Sequence, residues 1–392
     1  MRNWILWLVL MGCSLSVHGQ ETKPDSIRFS LLTCAPGEEI YSLFGHTAIR
    51  YENFTRKQDF VFNYGMFSFN TPNFVLRFLL GETDYQLGVV PFSYFQLEYA
   101  ERGSSVYQQV LNLTTEEKMK LLRLLDENYH PANRTYRYNY FYDNCTSRAR
   151  NKIEESIDGY VTYEESDSTV SYRDIIRMFT ANHPWDALGI DLCLGAEADV
   201  PIDYRSQMFA PFVMLDAARN AVVHRGDSIV PFVQSEEQIV QVEVQKGSSS
   251  FWLTPIMCSI YLLFMTCLIG WLGYRLGQII WIWDILLFGA QGLGGCIIAA
   301  LYFCSVHPTV DSNWMILLFN PVPLLYLPVM VYRAIKRRKD FYHWLNVIYL
   351  TIFIVSIPFI PQKINLTVLP LALCLLICSV GHLIIYTKKN FR

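Results

Sequence analysis

The sequence predicts a mixed α+β domain outside the membrane, followed by an all-α membrane domain with five helices. The first observation is composition, because 52% of the 392 residues are hydrophobic and only 17% are charged, which is too apolar for a soluble protein of this size. The second is charge distribution, since the acidic residues after residue 250 are Asp284, Asp311 and Asp340 alone. The third is that residues 28–230 mix alternating and helical patterns of apolar residues.

Residues 1–20 are typical of a secretory signal peptide. They have a basic start, an apolar run and small residues up to Gly19, where cleavage is expected. A second interpretation is a lipobox, LMGC at residues 10–13, in which Cys13 is lipidated. We favour cleavage because the tail of the chain already supplies a membrane anchor.

Five apolar stretches follow residue 250 and predict a membrane domain over residues 251–392. Each is close to the ~20 residues needed to cross hydrocarbon, and they cover 252–273, 279–304, 314–332, 343–361 and 366–386. With the signal peptide placing the first domain outside, five crossings leave the C-terminus inside. Loop charges agree, because Lys363 is the only Lys or Arg in the predicted outside loops. Asp284 lies within a span, where a carboxylate is either functional or close enough to the end to reach the interface.

Residues 21–235 are predicted to form the extracytoplasmic domain, and residues 236–250 a linker. The segments SIRFSLLTC, HTAIRYENF and QDFVFNYGMF predict neighbouring antiparallel strands. The segment LTTEEKMKLLRLLDENYH predicts a helix that Thr114 or Thr115 caps. A further helix is predicted over 144–157.

Cys145 stands where that last helix begins. Asp143 and Asn144 are N-cap residue types. A thiol at this position faces unpaired backbone N–H groups and the positive end of the helix dipole, and both favour the thiolate. The alternative is a buried structural cysteine.

His46 is the histidine best placed to act as its base. It follows Gly45 and opens a predicted strand, whereas His130 and His183 each precede proline in turns. Cys145 at a helix start and His46 at a strand start therefore predict a thiolate–imidazolium pair.

Four segments in order resemble one family. FGHTAIRY, FVFNYG, NFVLRFLLGETDYQLG and YFYDNCTSRAR resemble the DUF4105 family, also called the Lnb N-terminal periplasmic domain, over about residues 30–230. The tail is similar to the membrane part of Lnb-type lipoprotein N-acyltransferases. The resemblance implies a circularly permuted papain-like (NlpC/P60) fold, shared with lecithin:retinol acyltransferase-like enzymes. In that fold the histidine strand precedes the cysteine helix, as His46 precedes Cys145.

The resemblance also implies roles for individual residues. Cys145 matches the nucleophile and His46 the base, while Asn63 matches the polar partner of the histidine, with Asp59 as the alternative. The backbone N–H of Cys145 is expected to stabilise an oxyanion.

Further residues in the matched motifs are candidates for contacting substrate. Tyr138 or Tyr140 is a candidate second donor to the oxyanion. Ser42, Tyr64 and Arg148 are candidate substrate-binding residues. Arg148 either contacts a phosphate or pairs with an acidic side chain, and we favour the pairing.

The implied reaction moves an acyl chain from a membrane phospholipid, through a thioester on Cys145, to the α-amine of the N-terminal cysteine of a diacylated lipoprotein. The protein is then expected in the bacterial inner membrane, with its N-terminal domain periplasmic and its C-terminus cytoplasmic. The segment FNTPNFVLRFLLG, residues 69–81, either enters lipid or forms a buried core helix.

Two other interpretations belong to different classes of protein. One is a membrane-anchored cysteine peptidase or amidase that acts on cell-wall peptides. The other is a scaffold in which Cys145 is structural. A nucleic-acid partner is not expected, because the first domain is acidic. We expect no cofactor and no metal, because the ten cysteines include no CxxC pair and no ligands at metal spacing.

Overall fold

The computed structural model describes residues 26–164, 169–242 and 250–387. The predicted signal peptide, including Cys13, lies outside the described residues. Within them the chain forms a mixed α+β domain followed by five long apolar helices, which confirms the predicted fold class.

The α+β domain is organised around an antiparallel sheet whose strand order is β10-β5-β1-β2-β3-β4-β6. A smaller sheet has the order β7-β8-β9. The predicted pairing of the first three strands is confirmed, since β2 pairs with both β1 and β3. The strands are β1 Ile27–Cys34, β2 His46–Asn53, β3 Gln58–Met66, β4 Asp84–Pro91, β5 Val106–Leu111, β6 Thr135–Arg137, β7 Tyr160–Thr162, β8 Val222–Arg225, β9 Ser228–Pro231 and β10 Val233–Val240.

Both faces of the larger sheet are covered, because successive side chains of a strand point to opposite faces. On β1, Phe29 and Leu31 enter a core that includes Ile153 of the helix beginning at Cys145. Leu32, on the other face, packs with Phe95 of the helix Phe92–Glu101. The sheet is therefore a rigid middle layer on which the cysteine helix rests.

The helices of this domain begin with polar caps where the sequence offers them. The side chain of Thr114 accepts a hydrogen bond from the backbone N–H of Glu117, and Glu117 bonds back to the N–H of Thr114, so Thr114 is the cap. The α-helices are Phe74–Leu80, Phe92–Glu101, Thr115–Tyr129, Cys145–Ser156, Tyr172–Thr180, Pro184–Cys193, Tyr204–Gln207 and Pro211–Asn220.

The α+β domain extends further than the predicted boundary at residue 235. Strand β10 runs to Val240 at the edge of the sheet and pairs with β5, so the first residues of the expected linker belong to the sheet. Its sequence VQSEEQIV looks like a linker because an edge strand tolerates exposed charges. In the structure, Gln109 and Arg219 both donate hydrogen bonds to Glu236.

The membrane domain has the five predicted spans, at the predicted positions. The described residues contain five helices long and apolar enough to cross a membrane, namely Pro255–Leu276, Trp281–Cys304, Trp314–Ile335, Tyr342–Phe359 and Val368–Thr387. We number them span one to span five. Span three is a 3₁₀ turn, Trp314–Leu317, followed by the α-helix Val322–Ile335.

The two domains are joined by hydrogen bonds to the loops between spans two and three and between spans four and five. The side chain of Asn313 donates to the carbonyl of Leu192 at 2.7 Å, and the side chain of Gln362 donates to the carbonyl of Leu194 at 2.9 Å. Lys363 pairs with Asp174 at 2.7 Å. These contacts hold the α+β domain against one end of the spans.

Candidate active site

Cys145 is the first residue of its helix, and the capping interactions of Asn144 fix that position. The Asn144 side chain accepts hydrogen bonds from the N–H groups of Thr146 and Ser147, both at 2.9 Å. The Ser147 hydroxyl accepts from the N–H of Asn144 at 2.8 Å, which completes a capping box. The cysteine is 9% exposed. Its thiol is therefore shielded from water but placed at the positive end of the helix dipole.

His46 opens β2 directly after a glycine that the fold requires. Gly45 has φ 79°, and a Cβ there would lie 2.5 Å from the backbone oxygen of Cys34. The His46 Nε2 lies 2.6 Å from Oδ1 of Asn63, so Nε2–H donates to the amide oxygen. The other ring nitrogen is left for the hydrogen bond between His46 and the Cys145 thiol. Asn63 thus fixes which nitrogen faces the thiol of Cys145.

The pKa values of the pair are shifted toward the charged forms. Burial by itself raises the pKa of Cys145, but the charge and hydrogen bond of His46, the backbone N–H of Thr47 and the hydroxyl of Thr146 lower it to about 7. Burial lowers the pKa of His46, but the charge and hydrogen bond of Cys145 and the hydrogen bond to Asn63 leave it raised. Both shifts favour a thiolate beside an imidazolium.

The structure distinguishes the two candidates for the third group. Asp59 accepts two hydrogen bonds from Arg50, at 2.9 and 2.8 Å, and is thereby held by that guanidinium. Asn63 contacts the imidazole directly. Asn63 is therefore placed to orient His46.

The three residues predicted to bind substrate have other partners. The Tyr64 hydroxyl donates to the side chain of Asn128 at 2.7 Å, in the core. The Ser42 hydroxyl donates to the carbonyl of Glu39 at 2.8 Å, within an exposed turn. Both groups stabilise local structure.

Arg148 pairs with an acidic side chain, which is the alternative that we favoured from the sequence. Its guanidinium makes two hydrogen bonds to the Asp143 carboxylate, at 2.7 and 2.6 Å, and lies 3.6 Å from the centre of the Tyr136 ring. Because its charge is already paired, Arg148 fixes the loop before Cys145.

Buried tyrosine hydroxyls surround the thiol. The hydroxyls of Tyr136 and Tyr140 are buried and have no hydrogen-bond partner among the described residues. Burial, and then the charge of Cys145, raise the pKa of both well above the usual value, so both remain donors. Tyr140 was expected from the sequence. Tyr136 was missed because β6, Thr135–Arg137, is a three-residue strand whose pairing partner is remote in the chain.

Gly65 lies beside Cys145, and sequence reasoning also missed it. It has φ 88°, and a Cβ there would lie 3.6 Å from the Cβ of Cys145 and 4.0 Å from the Tyr136 hydroxyl. The sequence did contain a signal for this position, because a glycine within a strand, here the last residue of FNYG, often marks a close approach of other groups. A Cβ at this position would already contact Cys145 and Tyr136, so glycine keeps a larger side chain out of the gap between them.

One group of residues could hold a metal ion, far along the chain from this site. Among the described residues, Asp284 of span two and Cys378 and His382 of span five bring three ligand atoms within 4.8 Å of one another. The sequence predicted no metal site, because Asp284 is remote from the other two. Asp284 is 1% exposed, and both its oxygens lie 3.0 Å from Nε2 of His382.

Fold and site together define a membrane protein with an extracytoplasmic cysteine–histidine centre. The Lnb N-terminal periplasmic domain matches residues 16–180, and the Lnb transmembrane domain matches residues 246–390. The chain belongs to the Lnb family and is an inner-membrane protein with a periplasmic N-terminal domain. Comparison with curated proteins and with solved structures gave no match.

Proposed function

We propose that this protein is a cysteine-dependent lipoprotein N-acyltransferase. The observation that carries the proposal is the hydrogen-bonded set of Cys145, His46 and Asn63 in a domain docked on five apolar spans. A thiolate attacks esters readily and holds the acyl group as a reactive thioester. The docking of this domain on the spans keeps the thiol near the membrane surface. The two proposed substrates, a phospholipid and a lipid-anchored lipoprotein, lie at that surface.

In the first step the acyl chain moves to the enzyme. The Cys145 thiolate attacks the ester carbonyl of a phospholipid, and the negative charge that forms on the oxygen is stabilised by the N–H of Cys145 and the hydroxyl of Tyr136 or Tyr140. The carbon–oxygen bond then breaks, and His46 gives its proton to the departing alkoxide. A lysophospholipid leaves, and the acyl group remains on sulfur.

In the second step the acyl chain moves to the lipoprotein. The α-amine of the N-terminal cysteine attacks the thioester, and His46 accepts the proton that the amine loses. The carbon–sulfur bond breaks and regenerates the thiolate. The amide product is more stable than the thioester, so the transfer runs toward acylated lipoprotein.

The proposed orientation places the C-terminus in the cytoplasm. Five spans put it on the side opposite the periplasmic domain. The basic residues in the loop between spans three and four, Lys336, Arg337, Arg338 and Lys339, belong inside by the positive-inside rule.

The proposal is tested in cells that lack their own lipoprotein N-acyltransferase. The protein, its Cys145→Ala variant and its Cys193→Ala variant are each produced with a reporter lipoprotein, and equal membrane insertion is checked by immunoblot. Mass spectrometry of the reporter's N-terminal peptide should show a third acyl chain with the native protein and Cys193→Ala, and two chains with Cys145→Ala. A diacylated reporter in all three cases contradicts the proposal and favours the cell-wall amidase. A third chain with Cys145→Ala removes the thiol from the mechanism.

A further inference from the structure

A row of aromatic rings extends from the neighbourhood of the thiol to the outer end of span two. We call it the aromatic row, and its members are Tyr138, Tyr85, Phe67, Phe74 and Phe78. Successive ring centres lie 4.2, 4.8, 5.6 and 6.2 Å apart. The proposed reaction does not by itself require such a row.

One end of the row lies at the active site. Tyr85 belongs to the buried cluster that includes Cys145, and Tyr138 packs against that cluster. The ring of Tyr138 stacks on Tyr85 at an interplanar angle of 19°.

The other end lies against the loop that follows span two. The Phe78 ring centre is 5.7 Å from that of His307, and His307 Nε2–H donates to the Phe78 carbonyl at 2.6 Å. The N–H of Val306 donates to the carbonyl of Leu80 at 2.9 Å. The helix Phe74–Leu80 is thus fastened by its C-terminal end to the membrane domain.

This helix has no buried residue, so the buried-core alternative for residues 69–81 does not hold. Val75 is 79% exposed, and Leu76 and Phe69 are also exposed. Phe303, at the end of span two, is 73% exposed. The helix therefore presents exposed apolar side chains and is bonded beside the end of an apolar span, and an exposed patch of this kind marks a site of interaction.

Charge also favours lipid over a peptide as the occupant. Arg77 is the only charged residue in 69–81, and its guanidinium is bonded to Asp84 at 2.9 Å and to the carbonyl of Glu82 at 2.8 Å. The surface therefore offers aromatic and aliphatic groups with the one charge already paired.

We propose that the helix Phe74–Leu80 enters the outer leaflet of the membrane and that the aromatic row binds the fatty acyl chain of a phospholipid on its way to Cys145. The choice of an acyl donor rests on the proposed function, whereas the contact with lipid does not. The acyl chain lies along the rings, and its ester carbonyl reaches Cys145.

The contact with lipid is tested by photo-crosslinking of the full-length protein in vesicles that contain a radiolabelled phosphatidylethanolamine. A benzophenone amino acid replaces Val75, or Phe303 as the positive control, or Ile229, which is 62% exposed on β9, as the negative control. Labelled adducts are expected at positions 75 and 303 and not at 229. An adduct at 303 without one at 75 overturns the proposal, and so does equal labelling at 75 and 229.

The second test measures the acyl route. Acylation of Cys145 by a long-chain phospholipid and by a water-soluble short-chain ester is compared in Leu76→Asp and in the matched Ile229→Asp variant. A carboxylate in a lipid-facing surface is unfavourable, so the ratio of the phospholipid rate to the short-ester rate should fall by about tenfold or more in Leu76→Asp. An unchanged ratio overturns the acyl route. If the native protein is acylated by neither ester, the proposed function fails, and the crosslinks still decide the contact with lipid.

Discussion

At the residue scale, the thiol of Cys145 is acidic because of its immediate neighbours. Burial alone opposes the thiolate, so the lowered pKa depends on His46, on the N–H of Thr47 in β2 and on the hydroxyl of Thr146 at the helix start. Removing one of these neighbours should therefore change the pH at which the Cys145 thiol ionises, while the fold around it stays the same.

The first prediction concerns the pH dependence of Cys145 alkylation. Because only the thiolate reacts, the rate with iodoacetamide should rise with pH and reach half its maximum near pH 7, below the ordinary thiol value of 9.0. In His46→Ala the effect of burial remains and the effect of the imidazolium is lost, so the midpoint should move above 9.0. Mass spectrometry of the peptide containing Cys145 follows the reaction. A midpoint that is the same in both proteins would contradict the pairing.

The second prediction concerns Asn63 as a positioning residue. Its hydrogen bond helps to raise the pKa of His46, so Asn63→Ala should make the imidazolium less stable and move the Cys145 midpoint to higher pH, by less than His46→Ala does. Asn63→Asp keeps the acceptor and adds a negative charge, which should restore the midpoint. Asn128→Ala is the control, because Asn128 bonds Tyr64 and not His46. A purely structural role for Asn63 predicts no shift in the midpoint of either variant.

Local sequence signals were sufficient to predict Cys145 and His46. A helix cap before the cysteine and a glycine before the histidine are each visible within a few residues. The choice between Asn63 and Asp59 could not be made from the sequence, because it depends on Arg50, which binds Asp59 across the β2–β3 pairing.

At the element scale, the helix Phe74–Leu80 depends on a close contact between Gly81 and the membrane domain. Gly81 has φ 75°, and a Cβ there would lie 2.9 Å from the backbone nitrogen of His307. Gly103 has φ 68° and would place its Cβ against nothing within 4 Å. The two glycines therefore have the same backbone requirement and differ in what surrounds them.

The third prediction compares alanine substitutions at Gly81 and Gly103. Gly81→Ala and Gly103→Ala should share a similar backbone strain, of about 1–2 kcal/mol. Only Gly81→Ala should also push the helix away from His307 and expose the 69–81 segment to protease. Limited proteolysis of the two proteins in membranes checks this. Equal cleavage of both variants would contradict the fastening of this helix to span two.

The fourth prediction concerns the pair of Asp284 and His382 between spans two and five. Removing one partner of a buried pair leaves the other uncompensated, at a cost of roughly 3–5 kcal/mol. Asp284→Asn should therefore unfold at a clearly lower temperature in detergent, whereas Asp311→Asn, at an exposed loop position, should not. The metal content of the same native preparation reports whether this cluster, with Cys378, holds an ion. Equal melting of both variants would contradict the pair's structural role.

The elements differed in how far the sequence could predict them. The first three strands and the five spans follow from strong local patterns, alternation in the strands and long apolar runs in the spans. Strand β10 was missed because its charged residues, Glu236 and Glu237, accept hydrogen bonds from the remote side chains of Gln109 and Gln108. The exposed side of residues 69–81 also needed the structure, since an apolar helix has the same sequence pattern whether or not protein covers it.

At the scale of the whole molecule, docking of the periplasmic domain depends on a backbone approach at Gly195. Its N–H donates to the carbonyl of Thr309 at 2.7 Å. A Cβ there would lie 2.5 Å from that same oxygen and from the hydroxyl of Ser312. No side chain fits without displacing the loop after span two.

The fifth prediction is that Gly195→Ala loosens the two domains. Gly189→Ala is the matched control, because a Cβ at Gly189 meets nothing within 4 Å and alanine favours the helix that contains it. Gly195→Ala should unfold at a lower temperature and transfer fewer acyl chains to a reporter lipoprotein, while Gly189→Ala should match the native protein. If both variants behave alike, the domains do not depend on this contact.

The central claim is that Cys145 carries an acyl group taken from a membrane phospholipid. The most direct measurement is mass spectrometry of the Cys145 peptide after the purified full-length protein is incubated with phospholipid vesicles and no acceptor. The account predicts an acyl adduct on Cys145 that hydroxylamine removes, and a rate lower by about 10²–10⁴-fold in His46→Ala. An unmodified Cys145 in protein that still adds a third chain to the reporter lipoprotein would contradict it.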